Sequence, residues 1–233
     1  MGRRPLTECF LGTQIGTEAE LFIKVLHTDT PGVCRNFLRE IDLLTTMSGR
    51  PGFPVLRACS RVPGAAFHAC DRLHAPRFDQ CARDGRLEIE VLGELMCGLA
   101  RWLQRLHAFG YVHRDLSPDH VFSGQQITVV DFGLARSSHE LAADDRRRCI
   151  GSDVQALGLI LWEMICGQQV FTYRSPVLAL EIPPQLALIE SLALPPPIAR
   201  TLVGCLTAQS EMTPRIRPQA FESADDIVAA LGS

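Results

Sequence analysis

The spacing of apolar residues changes character about a third of the way along the chain. Glu20–Leu26 (ELFIKVL) is rich in β-branched and aromatic residues and predicts a strand. Thr30-Pro31 follows as a helix start, with Thr30 as the cap and Pro31 in the first turn. Phe37, Ile41 and Leu44 then recur at helical spacing, and Glu40 shares or borders their face. A carboxylate in that position needs a partner. Pro51-Gly52-Phe53-Pro54 ends the helix, and Val55–Cys59 and Ala65–Cys70 read as strands closing a small sheet. Residues 74–86 carry Pro, Asp and Gly and read as a connecting stretch. From Leu87 to Ala108, Leu92, Leu95, Met96, Leu99, Leu103 and Leu106 form one stripe of a long helix, which Gly110 ends. Val121-Phe122, Ser123-Gly124 and Ile127–Val130 predict a hairpin. After Gly151 the pattern is helical, broken by Pro183-Pro184 and Pro195-Pro196-Pro197. Ser223 and Asp226 form a capping box for the last helix. Strands first and helices afterwards imply an α+β chain, divided into residues 1–72 and 73–233.

Bulk properties narrow the function classes. The 233 residues are 46% hydrophobic and 21% charged with a net charge of −3, so neither nucleic acid nor an anionic membrane is implied as a partner. Arg146-Arg147-Arg148 is too short to alter this and reads as a solvated loop. Nine cysteines at irregular spacing include no pair separated by two residues, which predicts reduced thiols rather than a zinc or redox motif. No signal-peptide core follows the N-terminus, and the longest apolar run, Ala156–Cys166, contains Glu163 and is too short for a bilayer. A cytoplasmic protein is expected, with delivery to another cell left open. Of the 23 basic residues 22 are arginine, and Lys24 is the only lysine. A lysine is a compact ammonium able to reach between phosphates, so Lys24 is the first candidate functional residue.

The second candidate is Tyr111-Val112-His113-Arg114-Asp115-Leu116-Ser117-Pro118-Asp119-His120, after the long helix. The hairpin then leads to Asp131-Phe132-Gly133. A returning hairpin brings Asp131 toward Asp115, 16 positions earlier. Two such carboxylates can divide labour, one orienting and deprotonating a hydroxyl and the other holding Mg²⁺ against polyphosphate oxygens.

These motifs resemble those of the protein-kinase-like (Hanks-type) superfamily. FIKVL resembles the strand with the ATP-positioning lysine, HRDLSPDH the catalytic loop, and DFG the metal-binding motif. SDVQALGLILWEM resembles the central helix of the C-terminal lobe, preceded by the family's structural aspartate, here Asp153. The resemblance covers nearly the whole chain. It implies a two-lobed fold, with a small β-rich lobe carrying one helix and a larger helical lobe. It implies ATP and Mg²⁺ as cofactors, with Mn²⁺ possible in place of Mg²⁺. Lys24 paired with Glu40 would position ATP, Asp71 would fall where the hinge meets adenine, Asp115 would orient the acceptor, and Asp131 and His120 would bind metal.

The chain departs from the pattern in four places. No phosphate-covering Gly-rich loop precedes Cys-Phe-Leu-Gly-Thr, and Gly16 matches the turn after that strand. His120 replaces the usual second metal-binding Asn, as it does in lipopolysaccharide heptose kinases. Ser117 stands where protein Ser/Thr kinases carry a lysine. Only 22 positions separate Asp131 from Asp153, with no APE-like motif, which shortens the peptide-docking segment and leaves Arg217 without its usual glutamate. Minimal kinases of the RIO group are similar in this. The leading expectation is transfer of the γ-phosphate to Ser or Thr of a protein. A small-molecule or sugar kinase and a pseudokinase binding module remain as alternatives.

Overall fold

The computed structural model describes residues 6–83, 89–166, 189, 192, 194–208 and 221–231. Two compact units divide the chain, one of residues 1–75 with 128–135 and one of residues 76–127 with 136–233.

The first unit is a four-stranded antiparallel sheet with one helix. Its strands are β1 (Thr7–Thr13), β2 (Glu20–Leu26), β3 (Leu56–Ser60) and β4 (Phe67–Asp71), in the order β1-β2-β4-β3. Gly16 makes the β1–β2 turn at a φ of 88°, a conformation open to glycine at no steric cost. Helix α1 (Pro31–Met47) lays Phe37 and Ile41 on Leu26 and Ala66, all buried. Thr30 is its N-cap as the sequence predicts, but its hydroxyl bonds Thr28 Oγ1 at 2.9 Å and makes no cap hydrogen bond. Residues 128–135 belong to this unit through main-chain and ring contacts. The Val129 N–H donates to the Gly52 carbonyl at 3.2 Å, and Phe132 stacks on Phe53 at 6.0 Å.

The second unit is mostly helical. Helix α2 (Phe78–Arg83) occupies part of the stretch read as a connection. Phe78 is buried and anchors it, so one large apolar residue outweighs the surrounding loop-forming composition. Helix α3 (Ile89–Ala108) buries Leu92, Met96, Leu99, Leu103 and Leu106 of the predicted stripe and leaves Leu95 half-buried. Short strands β5 (Tyr111–Val112), β6 (Val121–Ser123) and β8 (Arg136–Ser137) follow, with β5 pairing β8, and β6 forms the expected hairpin with β7 (Ile127–Val129), where the chain passes into residues 128–135 of the first unit.

Helix α4 (Ala143–Cys166) starts well before Gly151, where the sequence placed the onset of helix. Asp144 and Asp145 in its first turn favour that start through the helix dipole. The arginine run read as a loop therefore lies in α4. Arg147 pairs with Asp144 at 2.5 Å and Arg148 pairs with Asp145, all at the surface. Helices α5 (Pro196–Leu206) and α6 (Ala224–Leu231) pack with α4 and α3. Gly158 lets α4 approach α5, because a Cβ there would lie 2.6 Å from Cys205 Cβ. The Asp226 carboxylate reaches back to the Ser223 N–H at 2.9 Å, half of the predicted capping box. Pro183-Pro184 and Arg217 lie outside the described residues. The chain is thus mixed α/β, with a small antiparallel sheet region followed by a larger helical part. Among the described residues no helix is long and apolar enough to cross a membrane. The eight cysteines whose side chains are described form no disulfide.

Candidate active site

Lys24 lies in the middle of β2, opposite Cys9 on β1 and His68 on β4. Period-two alternation puts all three on one sheet face. Glu40 lies on the α1 face that packs against the sheet and is only 2% exposed. The two meet as a close ion pair, with Lys24 Nζ 2.9 Å from Glu40 Oε2 and 3.2 Å from Oε1. Asp131 joins them, its Oδ1 accepting from Nζ at 3.0 Å. The residue that sequence reading assigned to phosphates, its carboxylate on the facing helix and the candidate metal ligand are thus gathered in the first unit. Burial alone would push the Lys24 ammonium down in pKa. The Glu40 and then the Asp131 carboxylates outweigh it and hold the ammonium above its ordinary value.

The backbone at Asp131 is unusual. Its φ of 61° is left-handed, which is uncommon for a residue with a side chain. The turn lets Asp131 Oδ1 accept the Gly133 N–H at 3.3 Å as well as the Lys24 proton. Gly133 closes the cluster tightly. A Cβ there would sit 3.2 Å from Asp131 Oδ1, 3.6 Å from Glu40 Oε2 and 3.9 Å from Lys24 Nζ. The Asp131 side chain stays 39% exposed, so the cluster is not closed to an ion.

Asp115 and His120 lie in the second unit, on the loop after β5. Arg114 also has a left-handed backbone, with φ 69°. Asp153 on α4 braces this loop from below. It is 1% exposed and accepts the His113 N–H at 2.8 Å and the Arg114 N–H at 2.7 Å. His107 on α3 adds a third contact, Nε2 to Asp153 Oδ2 at 3.0 Å. Two imidazoles hold the Asp115 main chain. Its N–H donates to His113 Nδ1 at 3.3 Å, and His120 Nδ1 donates to its carbonyl at 2.9 Å. His113 packs edge-on to Trp102 at 5.9 Å, as a positioned loop residue would. With Nδ1 committed as donor to the Asp115 carbonyl, the other ring nitrogen, Nε2, lies 3.8 Å from Asp119 Oδ2. The Ser117 hydroxyl donates to Asp119 Oδ1 at 2.5 Å.

Asp71 is not brought to Lys24. It pairs with Leu21 three positions along β2, and its carboxylate is bidentate to Arg57 Nε and Nη2, both at 2.6 Å. His68 and His107 carry contacts that sequence reading did not assign. For His107 the only available signal was that a carboxylate on the apolar face of α4 demands several donors.

The donor chemistry fits a magnesium–polyphosphate ligand. Mg²⁺ takes hard oxygen ligands with waters retained, and the accessible Asp131 carboxylate is one. Lys24 supplies a fixed, charged ammonium beside it. Imidazole is the softer partner and suits manganese better than magnesium, which bears on His120.

No family model matches the chain. Among characterised proteins it is similar to a serine/threonine-protein kinase of Myxococcus xanthus, 28% identical over 172 residues, covering 69% of this chain and 19% of the relative. It is also similar to the cell division cycle 7-related protein kinase of Homo sapiens, 26% identical over 146 residues, covering 60% of this chain and 25% of that protein. A putative serine/threonine-protein kinase/receptor of Acanthamoeba polyphaga mimivirus is 25% identical over 254 residues, covering 95% of this chain and 15% of the relative. The chain therefore spans a quarter or less of each of these relatives' lengths.

Proposed function

The chain is a member of the protein-kinase-like superfamily, and from that premise we propose that it is an ATP-dependent phosphotransferase that moves the γ-phosphate to Ser or Thr of a protein. The observation that carries this reading is the meeting of Lys24, Glu40 and Asp131 in one cluster, two of them more than 100 positions apart in sequence. A scaffold has no physical need for a charged ammonium held by two acids. The two compact units are read as the family's N-lobe and C-lobe.

In this reading Lys24 offsets charge on the α and β phosphates, and Glu40 keeps its ammonium charged and aimed. Asp131 would hold Mg²⁺, and His120, on the loop after β5, is the other candidate metal ligand. The metal, when bound, neutralises charge that develops on the transferred phosphoryl group. Asp115 orients the acceptor hydroxyl and takes its proton. Its loop is fixed for this by Asp153 from one side and by His113 and His120 from the other. Phosphoryl transfer asks for little more than this positioning. The names of two relatives as serine/threonine-protein kinases, and of a third as a protein kinase, favour a protein acceptor over a sugar. A cytoplasmic location goes with this reading.

The test is incubation with labelled ATP and Mg²⁺, reading autophosphorylation and transfer to lysate proteins. Asp131→Ala should lose metal-dependent nucleotide binding. Asp115→Ala should keep binding and lose transfer by about 10²–10⁴-fold, as general-base loss does. Near-wild-type turnover in a folded Asp115→Ala protein would remove the assignment.

A further inference from the structure

His68 is a buried polar residue that the reading above leaves without a task. It lies on β4 opposite Lys24, its side chain 4% exposed. Phe37, three residues before Glu40 on α1, packs against its ring with centroids 5.4 Å apart. Nδ1 is 4.0 Å from Cys70 Sγ, two residues along the same strand face. Burial pushes the Cys70 thiol up to about 12, so it stays protonated and can donate to Nδ1 in the tautomer that turns its ring hydrogen from Nε2 toward the Glu40 carboxylate. A thiol donating to Nδ1 places the ring hydrogen of a neutral imidazole on Nε2. Nε2 has no hydrogen-bond partner among the described residues. The acceptor it faces is Glu40 Oε1, 3.6 Å away and just beyond hydrogen-bond reach.

That gap matters because of how Lys24 spends its protons. An ammonium has three, and three contacts use them: Glu40 Oε2 at 2.9 Å, Asp131 Oδ1 at 3.0 Å and Glu40 Oε1 at 3.2 Å. To reach a phosphate, Lys24 must release one of these oxygens. The longest contact, to Oε1, is the easiest to give up. Glu40 is buried, so its released oxygen needs a protein donor in place of water. The imidazole of His68 is the donor standing next to it.

We propose that His68 is a positioning residue: its Nε2–H takes over Glu40 Oε1 when Lys24 turns a proton to a nucleotide phosphate. This rests on the nucleotide reading above and adds to it a residue on β4, behind the ion pair. It makes the cluster a sequence of donors, from the Cys70 thiol to His68, from His68 to Glu40, and from Lys24 to Glu40, Asp131 and phosphate.

The amide nitrogen of Gln can occupy the place of Nε2, whereas that of Asn falls near the place of Nδ1. A role in packing alone would not separate these two replacements in that order. Mg–ATP affinity is measured by calorimetry for wild type, His68→Gln, His68→Asn and His68→Leu, with thermal unfolding as the check on folding. Asn and Leu should weaken binding about tenfold, the worth of one hydrogen bond to a charged group, and Gln should stay within about twofold. Equal affinities in wild type, Asn and Leu overturn the proposal, as does a loss in Gln equal to that in Asn. If wild type binds no ATP, the nucleotide reading fails first. His68 is then read on the nucleotide-free protein through Lys24, whose Nζ gives a single lysine resonance in ¹⁵N-lysine-labelled material. A resonance displaced in Asn and Leu but not in Gln supports the His68–Glu40 contact, and one unmoved in all three overturns it.

Discussion

Replacing Glu40 by glutamine should make Lys24 far more reactive toward acylating reagents without unfolding the protein. The substitution keeps the shape at the α1–sheet contact and removes one charge. Lys24 is 13% exposed, and burial opposes its charge while Glu40 and Asp131 support it. Loss of a charge-assisted interaction costs about 1.5–3 kcal/mol. At about 1.36 kcal/mol per pH unit, the Lys24 pKa should fall by about one to two units. At pH 8, well below that pKa, the unprotonated fraction should rise about 10- to 100-fold. Lys24 is the only lysine, so competitive acetylation read by mass spectrometry on its peptide reports one side chain, with denatured protein as the accessibility reference.

The same change should cost about 2–3 kcal/mol of stability, toward the low end for orphaning a buried charge because Asp131 keeps one contact. The sign with pH follows from the raised pKa. A folded value above the unfolded one gives a contribution complete below about pH 10.4, lost as pH rises through the folded value. The stability difference should therefore be flat from about pH 6 to 9. An unchanged acetylation rate in a folded Glu40→Gln protein would refute the electrostatic account of the cluster.

Asp153→Ala should lower stability by about 3 kcal/mol in urea unfolding, because two main-chain N–H groups and His107 lose a buried acceptor. An unchanged midpoint would mean that the loop is held by other contacts. Wild type should work with manganese at least as well as with magnesium, and His120→Asn should shift the preference to magnesium while retaining activity. An unaltered metal preference would leave His120 as a clamp on the Asp115 carbonyl and nothing more. A Ser137→Ala/Ser138→Ala protein should keep its activity, since only residues 132–142 separate Asp131 from α4 and leave little loop for a phosphate to order. Loss of activity rescued by acidic replacements would contradict this.

Strands β2, β3 and β4 and helices α1 and α3 were legible because periodicity reports burial directly, whereas β5 and β8, of two residues each, are too short to carry a period. Phe37, Ile41 and Leu44 announced the buried face of α1, and that pattern made Glu40 conspicuous. Lys24 stood out by composition alone. Helix α2 was not legible, since one buried Phe78 decides it against its Pro- and Gly-bearing surroundings. The early start of α4 was hidden because its first turns are exposed and polar, with no apolar stripe to follow. His68 and His107 were missed for another reason. Each acts on a residue distant in sequence, and a single imidazole in a strand or helix carries no spacing signal. The return of residues 128–135 to the first unit likewise depends on contacts such as Val129 to Gly52, which no local pattern encodes.

The central claim is that Lys24 is the phosphate-contacting residue of a nucleotide site. An acyl-phosphate derivative of ATP delivers an acyl group to an amine lying at the phosphates, and in this chain only one side chain can accept it. Labelling should map to Lys24, excess Mg–ATP should suppress it, and Lys24→Arg should lose both the label and phosphate transfer, because a planar guanidinium does not replace a compact ammonium held between two carboxylates. ATP binding that leaves the labelling of Lys24 unprotected would contradict the account.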